Sequence, residues 1–89
     1  MQSVSILISG RVQGVFFRKY ALTSALNYGL SGFVMNTREG NVYIEATGNA
    51  DKIADLIKWC HTGSPLSSVK QVTVNTIPVK HSDGFTIRH

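Results

Sequence analysis

The chain has 89 residues, with nine Lys and Arg against five Asp and Glu, and a single cysteine, Cys60. That length holds one domain, residues 1–89, and excludes a two-domain enzyme; one thiol excludes an internal disulfide and any zinc site built on two thiolates. Hydrophobic residues at 43% and a formal net charge of +4 describe a globular chain that favours encounters with anions.

Along the chain, Val4, Ile6 and Ile8 alternate with Ser3, Ser5 and Ser9, the period of a strand with one face on the core, ending near Ser9. Gly10-Arg11-Val12-Gln13-Gly14 then breaks the alternation, and Phe17, Ala21, Ser24 and Tyr28 recur at helical spacing. Gly29 is placed to end that helix in a left-handed cap, and Gly32 opens a turn before a second strand, Phe33 to Thr37. Arg38-Glu39-Gly40-Asn41 reads as the tip of a hairpin whose return strand alternates Val42, Ile44 and Ala46 with Tyr43, Glu45 and Thr47. Asn49 is a candidate N-cap, with Asp51 in the first turn, for a second helix carrying Ile53, Leu56, Ile57 and Cys60 on one stripe. Gly63-Ser64-Pro65 ends it, Val72, Val74 and Thr76 mark a fourth strand, and Phe85 and Ile87 a short closing one.

The order βαββαβ contains two split β-α-β units, whose right-handed crossovers put both helices on one face of a sheet. The expected fold is an α/β (α+β) ferredoxin-like sandwich, an antiparallel sheet with a short extra C-terminal strand. Such a fold hosts enzymes, RNA binders and sensors alike, so the site must be argued from residues. No apolar run approaches the roughly 18 residues of a membrane span, and the N-terminus has no leader-like pattern, so no membrane partner and a cytoplasmic protein are expected. The nine cations are scattered from Arg11 to Arg88, strand one offers no aromatic, and Tyr43 stands alone in strand three. RNA-binding sheets carry aromatics on two central strands, so a nucleic-acid partner is not expected. His61, His81 and His89 show no metal-ligand spacing and read as surface residues; Cys60 reads as packing, and no metal site is expected.

One segment is organised for chemistry: Gly10-Arg11-Val12-Gln13-Gly14-Val15-Phe16-Phe17-Arg18, between strand one and helix one. Free amides and the positive end of a helix dipole converge there, and a guanidinium adds a fork matched to phosphate. On these residues alone, turning glycines and a surface arginine remain the simpler reading. The string GRVQGVFFR, however, resembles the first signature of the acylphosphatase family, and GFVMN, Gly32 to Asn36, resembles its second. The likeness runs through Gly63-Ser64-Pro65 to the closing Asp83-Gly84-Phe85-Thr86-Ile87-Arg88, with Phe33 where many members have Trp and Phe16 where some have Gly.

The resemblance implies hydrolysis of acyl phosphates to a carboxylate and inorganic phosphate, without metal or cofactor. It makes Arg18 the phosphate-binding arginine and Asn36 the residue that positions the attacking water. The main chain of Gln13, Gly14, Val15, Phe16, Phe17 and Arg18 would wrap the phosphoryl oxygens, and Thr37 would support Asn36. Inorganic phosphate or sulfate is the expected product-like ligand, and a monomer the expected state. The motif region also lacks Asp, Glu and His, which suits a substrate whose carboxylate leaves unprotonated and is awkward for an ordinary phosphate ester.

Overall fold

The computed structural model describes residues 1–80 and 83–89; His81 lies outside them. In chain order the elements are β1 (Gln2–Arg11), α1 (Phe17–Asn27), β2 (Ser31–Asn36), β3 (Val42–Gly48), α2 (Ala50–Thr62), β4 (Ser68–Ile77) and β5 (Phe85–Arg88). They build one sheet in the order β4-β1-β3-β2-β5, the ferredoxin-like arrangement with a strand added beside β2. The first four strands pair antiparallel, whereas β5 runs parallel to β2, which makes the sheet mixed. β4 and β2 point in opposite directions, so a chain that leaves β4 and turns back necessarily runs with β2.

Alternation explains which face is covered. Val4, Ile6 and Ile8 of β1, Val34 of β2 and Val42, Ile44 and Ala46 of β3 are at most 2% exposed. Phe17, Ala21 and Ala25 of α1 and Ile53, Leu56 and Cys60 of α2 close over them, and the two helices touch each other on that face. Each fully buried large apolar side chain contributes about 1.5–3 kcal/mol. The α1 stripe departs from the sequence expectation: Ala25 is buried, while Ser24 and Tyr28 are half-exposed at its flank. Two alanines on the buried line let α1 lie close to the sheet, a contact that a search for large apolar residues does not favour.

The helix ends follow backbone rules more than side-chain ones. After α1, Gly29 (φ +68) donates to the carbonyl of Leu26 at 3.1 Å and Leu30 to that of Ala25 at 3.0 Å, the paired bonds of a Schellman cap, with Leu30 buried beneath. Asn49 occupies the N-cap of α2 as expected, but its side chain makes no capping bond. β1 continues past Ser9 to Arg11 through a bulge at Gly10 opposite β4. Gly32 does not open a turn: it lies within β2 at φ +134, where a Cβ would collide with the carbonyl oxygen of Glu45. β4 is an edge strand, and its Val74 is 39% exposed.

The opposite face of the sheet is open. Phe33 and Tyr43 lie side by side there, ring centroids 6.0 Å apart, so the single aromatic of β3 has an aromatic neighbour on β2. Both are already engaged: the Arg88 guanidinium lies 3.6 Å from the Phe33 ring centre, and the Tyr43 hydroxyl donates to Glu45 Oε2 at 2.6 Å. That phenol bond, with help from Lys80 Nζ at 2.9 Å, holds the Glu45 carboxyl below its ordinary range. Among the described residues no helix is long and apolar enough to cross a membrane.

Candidate active site

The loop between β1 and α1 is held at three points. Val12 and Val15 are sunk in the core at 1% and 4% exposure. From the turn after α2, the buried Ser64 Oγ donates to the carbonyl of Val15 at 2.8 Å. Gln13 Nε2 donates to the carbonyls of Thr37 and Asn41, both at 2.8 Å, and so ties the loop to the β2–β3 hairpin. Beneath the start of the helix, Phe17 packs on Trp59 with ring centres 5.1 Å apart.

Between these anchors the backbone takes an unusual path. Gly14 (φ +73) and Phe16 (φ +61) are left-handed, with Val15 in the ordinary region between them. Alternation of this kind turns successive N–H groups to one side and makes a concavity for an anion. Among the described residues, no protein acceptor takes the amides of Gly14 to Lys19. Phe16 is also the N-cap of α1, so these amides stand at the positive end of the helix dipole.

Glycine adopts such a φ freely, whereas a bulky side chain held there costs about 1–3 kcal/mol. Phe16 leaves 67% of its surface exposed, so little burial offsets the strain. Phe16→Gly is therefore expected to raise the unfolding free energy by about 1 kcal/mol, read as a higher urea midpoint at unchanged slope. A midpoint at or below the parent's would mean that contacts of the ring outweigh the backbone relief.

Beside the loop opens a cavity of about 310 Å³, and both Arg18 and Asn36 line it, together with Gly14, Phe16 and Phe17. Asn36 arrives there by the period of β2: Val34 faces the core, Phe33 and Met35 face away, and Asn36, two residues beyond Val34, ends the strand on the helix side. α1 packs over β2 and β5, which sets its first turn near that strand end. Arg18 is half-buried in this turn, where its Nη1 donates to the carbonyl of Arg88 at 3.2 Å and lies 3.2 Å from His89 Nδ1.

Thus residues 18 positions apart in sequence share one wall. The other expected contributors are placed differently. The Val15 side chain is buried and that of Gln13 is turned to the hairpin, which leaves only their main chain on the loop. Thr37 Oγ1 accepts the Asn41 amide at 3.1 Å, so it shapes the turn after Asn36 and does not line the cavity. Phe33 is outside the wall as well, on the open face under Arg88.

Four further residues of the wall lie outside the expected set: Val12, Lys19, Ile87 and His89. Ile87 pairs with Val34 and Arg88 with Met35 in the parallel register, and one step beyond that last pair brings His89 level with Asn36. The region is therefore not free of histidine. An imidazole nitrogen facing a guanidinium N–H acts as its acceptor in the neutral form. Only the parallel direction of β5 carries this information, and alternation within Phe85 to Arg88 does not reveal direction. Cys60, in contrast, is fully buried, and burial pushes its thiol up to about 12, which keeps it neutral and inert.

A family model described as Acylphosphatase matches residues 4–87. An acylphosphatase of Shewanella amazonensis is 47% identical over 75 residues, covering 84% of this chain and 82% of that one. Among solved structures, an acylphosphatase from Bacillus subtilis superposes with a TM-score of 0.97 at 31% identity, covering 100% of both chains. One from Coxiella burnetii gives 0.95 at 34% identity, covering 98% of this chain and 92% of that one.

Proposed function

The chain belongs to the acylphosphatase family, whose enzymes hydrolyse acyl phosphates, and we propose that the cavity beside Arg18 is where it does so. The observation that carries this reading is the meeting of Arg18 and Asn36, each from a separate motif, in one cavity beside the left-handed loop. In this reading, the amides along the 13–18 loop and the Arg18 guanidinium bind the three phosphoryl oxygens. Charge on those oxygens in the transition state is what phosphoryl transfer most needs stabilised, and fixed N–H donors do so without reorganising.

Asn36 then holds the attacking water by its side-chain amide, since an amide is no base at neutral pH but orients a bound water through its carbonyl oxygen. The water oxygen bonds to phosphorus as the bond from phosphorus to the acyl oxygen breaks, and its electron pair leaves on the carboxylate. A phosphoryl oxygen of the substrate takes the proton from the water, so the products are a carboxylate and inorganic phosphate. A carboxylate is a good leaving group with a pKa about that of Asp or Glu, near 4, and needs no general acid. His89 is placed to accept from Arg18, and its role here is to steady that guanidinium.

The test is hydrolysis of acetyl phosphate and of a simple alkyl phosphate ester, both in excess chelator. Rapid cleavage of the first and a rate at least about 1,000-fold lower for the second are expected, because an alkoxide leaves poorly without a proton. Comparable rates would remove the leaving-group argument, and loss of acetyl phosphate hydrolysis in chelator would bring in a metal. A monomer acting on small molecules in the cytoplasm completes the proposal, and the mass in solution tests the first part.

A further inference from the structure

The cavity is larger than the anion assigned to it. At about 310 Å³ it holds on the order of ten waters of ~30 Å³ each, far more than a phosphoryl group and one water fill. Much of the remaining wall is apolar, from Val12, Phe16, Phe17 and Ile87. Val12 and Phe17 are 1% exposed and belong to the core, whereas the Phe16 ring is left 67% exposed. A strained backbone and an uncovered aromatic ring at the rim of a site are what packing alone selects against. Glycine would serve the turn without strain.

Resting on the acyl phosphate reading above, we infer that the Phe16 ring is the platform for the acyl half of the substrate, and that the site favours acyl phosphates with a flat apolar acyl group. A planar aromatic acyl group offers a face that stacks offset on a phenyl ring, and both surfaces leave water as it does so. The phosphoryl cradle is common to every acyl phosphate, so discrimination falls to this rim. Because Phe16 caps the helix whose first turn carries Arg18, its backbone sets the point from which the ring projects relative to that guanidinium. An acetyl group is too small to cover the ring and gains little from it.

The experiment compares kcat/KM for benzoyl phosphate and acetyl phosphate in the parent, Phe16→Leu and Phe16→Gly. The quantity read is the benzoyl to acetyl ratio, from which any change in the shared cradle cancels, with the inhibition constant of inorganic phosphate as a separate report on the cradle. The ratio is expected to fall about fivefold in Phe16→Gly and by less in Phe16→Leu, in line with the strength of one aromatic contact. An unchanged ratio in both variants, with the parent still cleaving acetyl phosphate, overturns the role of Phe16 and leaves the family activity standing. If the parent cleaves neither substrate, the functional reading falls and this inference with it.

Discussion

An Arg18→Lys protein is expected to lose about 1,000-fold in kcat/KM for acetyl phosphate and most of its affinity for inorganic phosphate, although its net charge is unchanged. The reason lies in how the guanidinium is held. One nitrogen, Nη1, is spent on the Arg88 carbonyl and His89, which fixes the plane of the group. In the proposed role the remaining N–H groups form a fork for two phosphoryl oxygens, the geometry that makes arginine effective toward phosphate. A lysine ammonium is a single point: it either follows Arg18 onto the Arg88 carbonyl or reaches the anion, and it makes no planar pair in either place. Arg18 lies on the first turn of α1 outside the apolar core, so the variant should fold, with circular dichroism and the urea midpoint close to the parent's. Steady-state kinetics with phosphate competition decide the matter. Activity within about tenfold of the parent would mean that charge alone suffices and that the fork has no part in catalysis.

The second large effect is expected at Asn36, and it should fall on a different constant. Asn36→Ala should lower kcat by about 100- to 1,000-fold, the range found on deleting one oriented polar group at a reacting centre. The inhibition constant of inorganic phosphate should stay within about threefold of the parent, because the proposed cradle is made by residues before β2. Losses that appear in phosphate binding and turnover alike would assign Asn36 to the anion instead of the water. Parent-like turnover would remove it from the reaction. The two substitutions together therefore separate holding the phosphoryl group from delivering the nucleophile.

Much of the scaffold is legible in the chain because its signals are local. The alternation of Val4, Ile6 and Ile8, the glycine after α1 and the Gly40-Asn41 turn each report on a few neighbouring residues. The bulge at Gly10 and the role of Gly32 are not legible in that way. Each depends on a backbone from a distant strand, Ser68 to Lys70 for the first and Glu45 for the second. Arg18 and Asn36 stand out through the two motifs, but nothing local places them on one wall; that follows from α1 lying over β2. His89 is hidden for a related reason. Reading it as part of the site requires knowing that β5 pairs parallel to β2, and four residues of alternation do not fix a strand's direction. The motif places the main chain of Gln13 in the loop, but nothing local shows what its side chain does. Its acceptors, the hairpin carbonyls, lie 24 and 28 positions away.

That glutamine couples two parts of the molecule. A side-chain amide nitrogen has two hydrogens, and Gln13 gives both to a single hairpin tip, one to Thr37 and one to Asn41. The loop proposed to hold the anion and the strand proposed to aim the solvent are thus tied to each other through one side chain. In the proposed reaction, a change in the bend around Arg38 and Glu39 would therefore reach the phosphoryl group through Gln13.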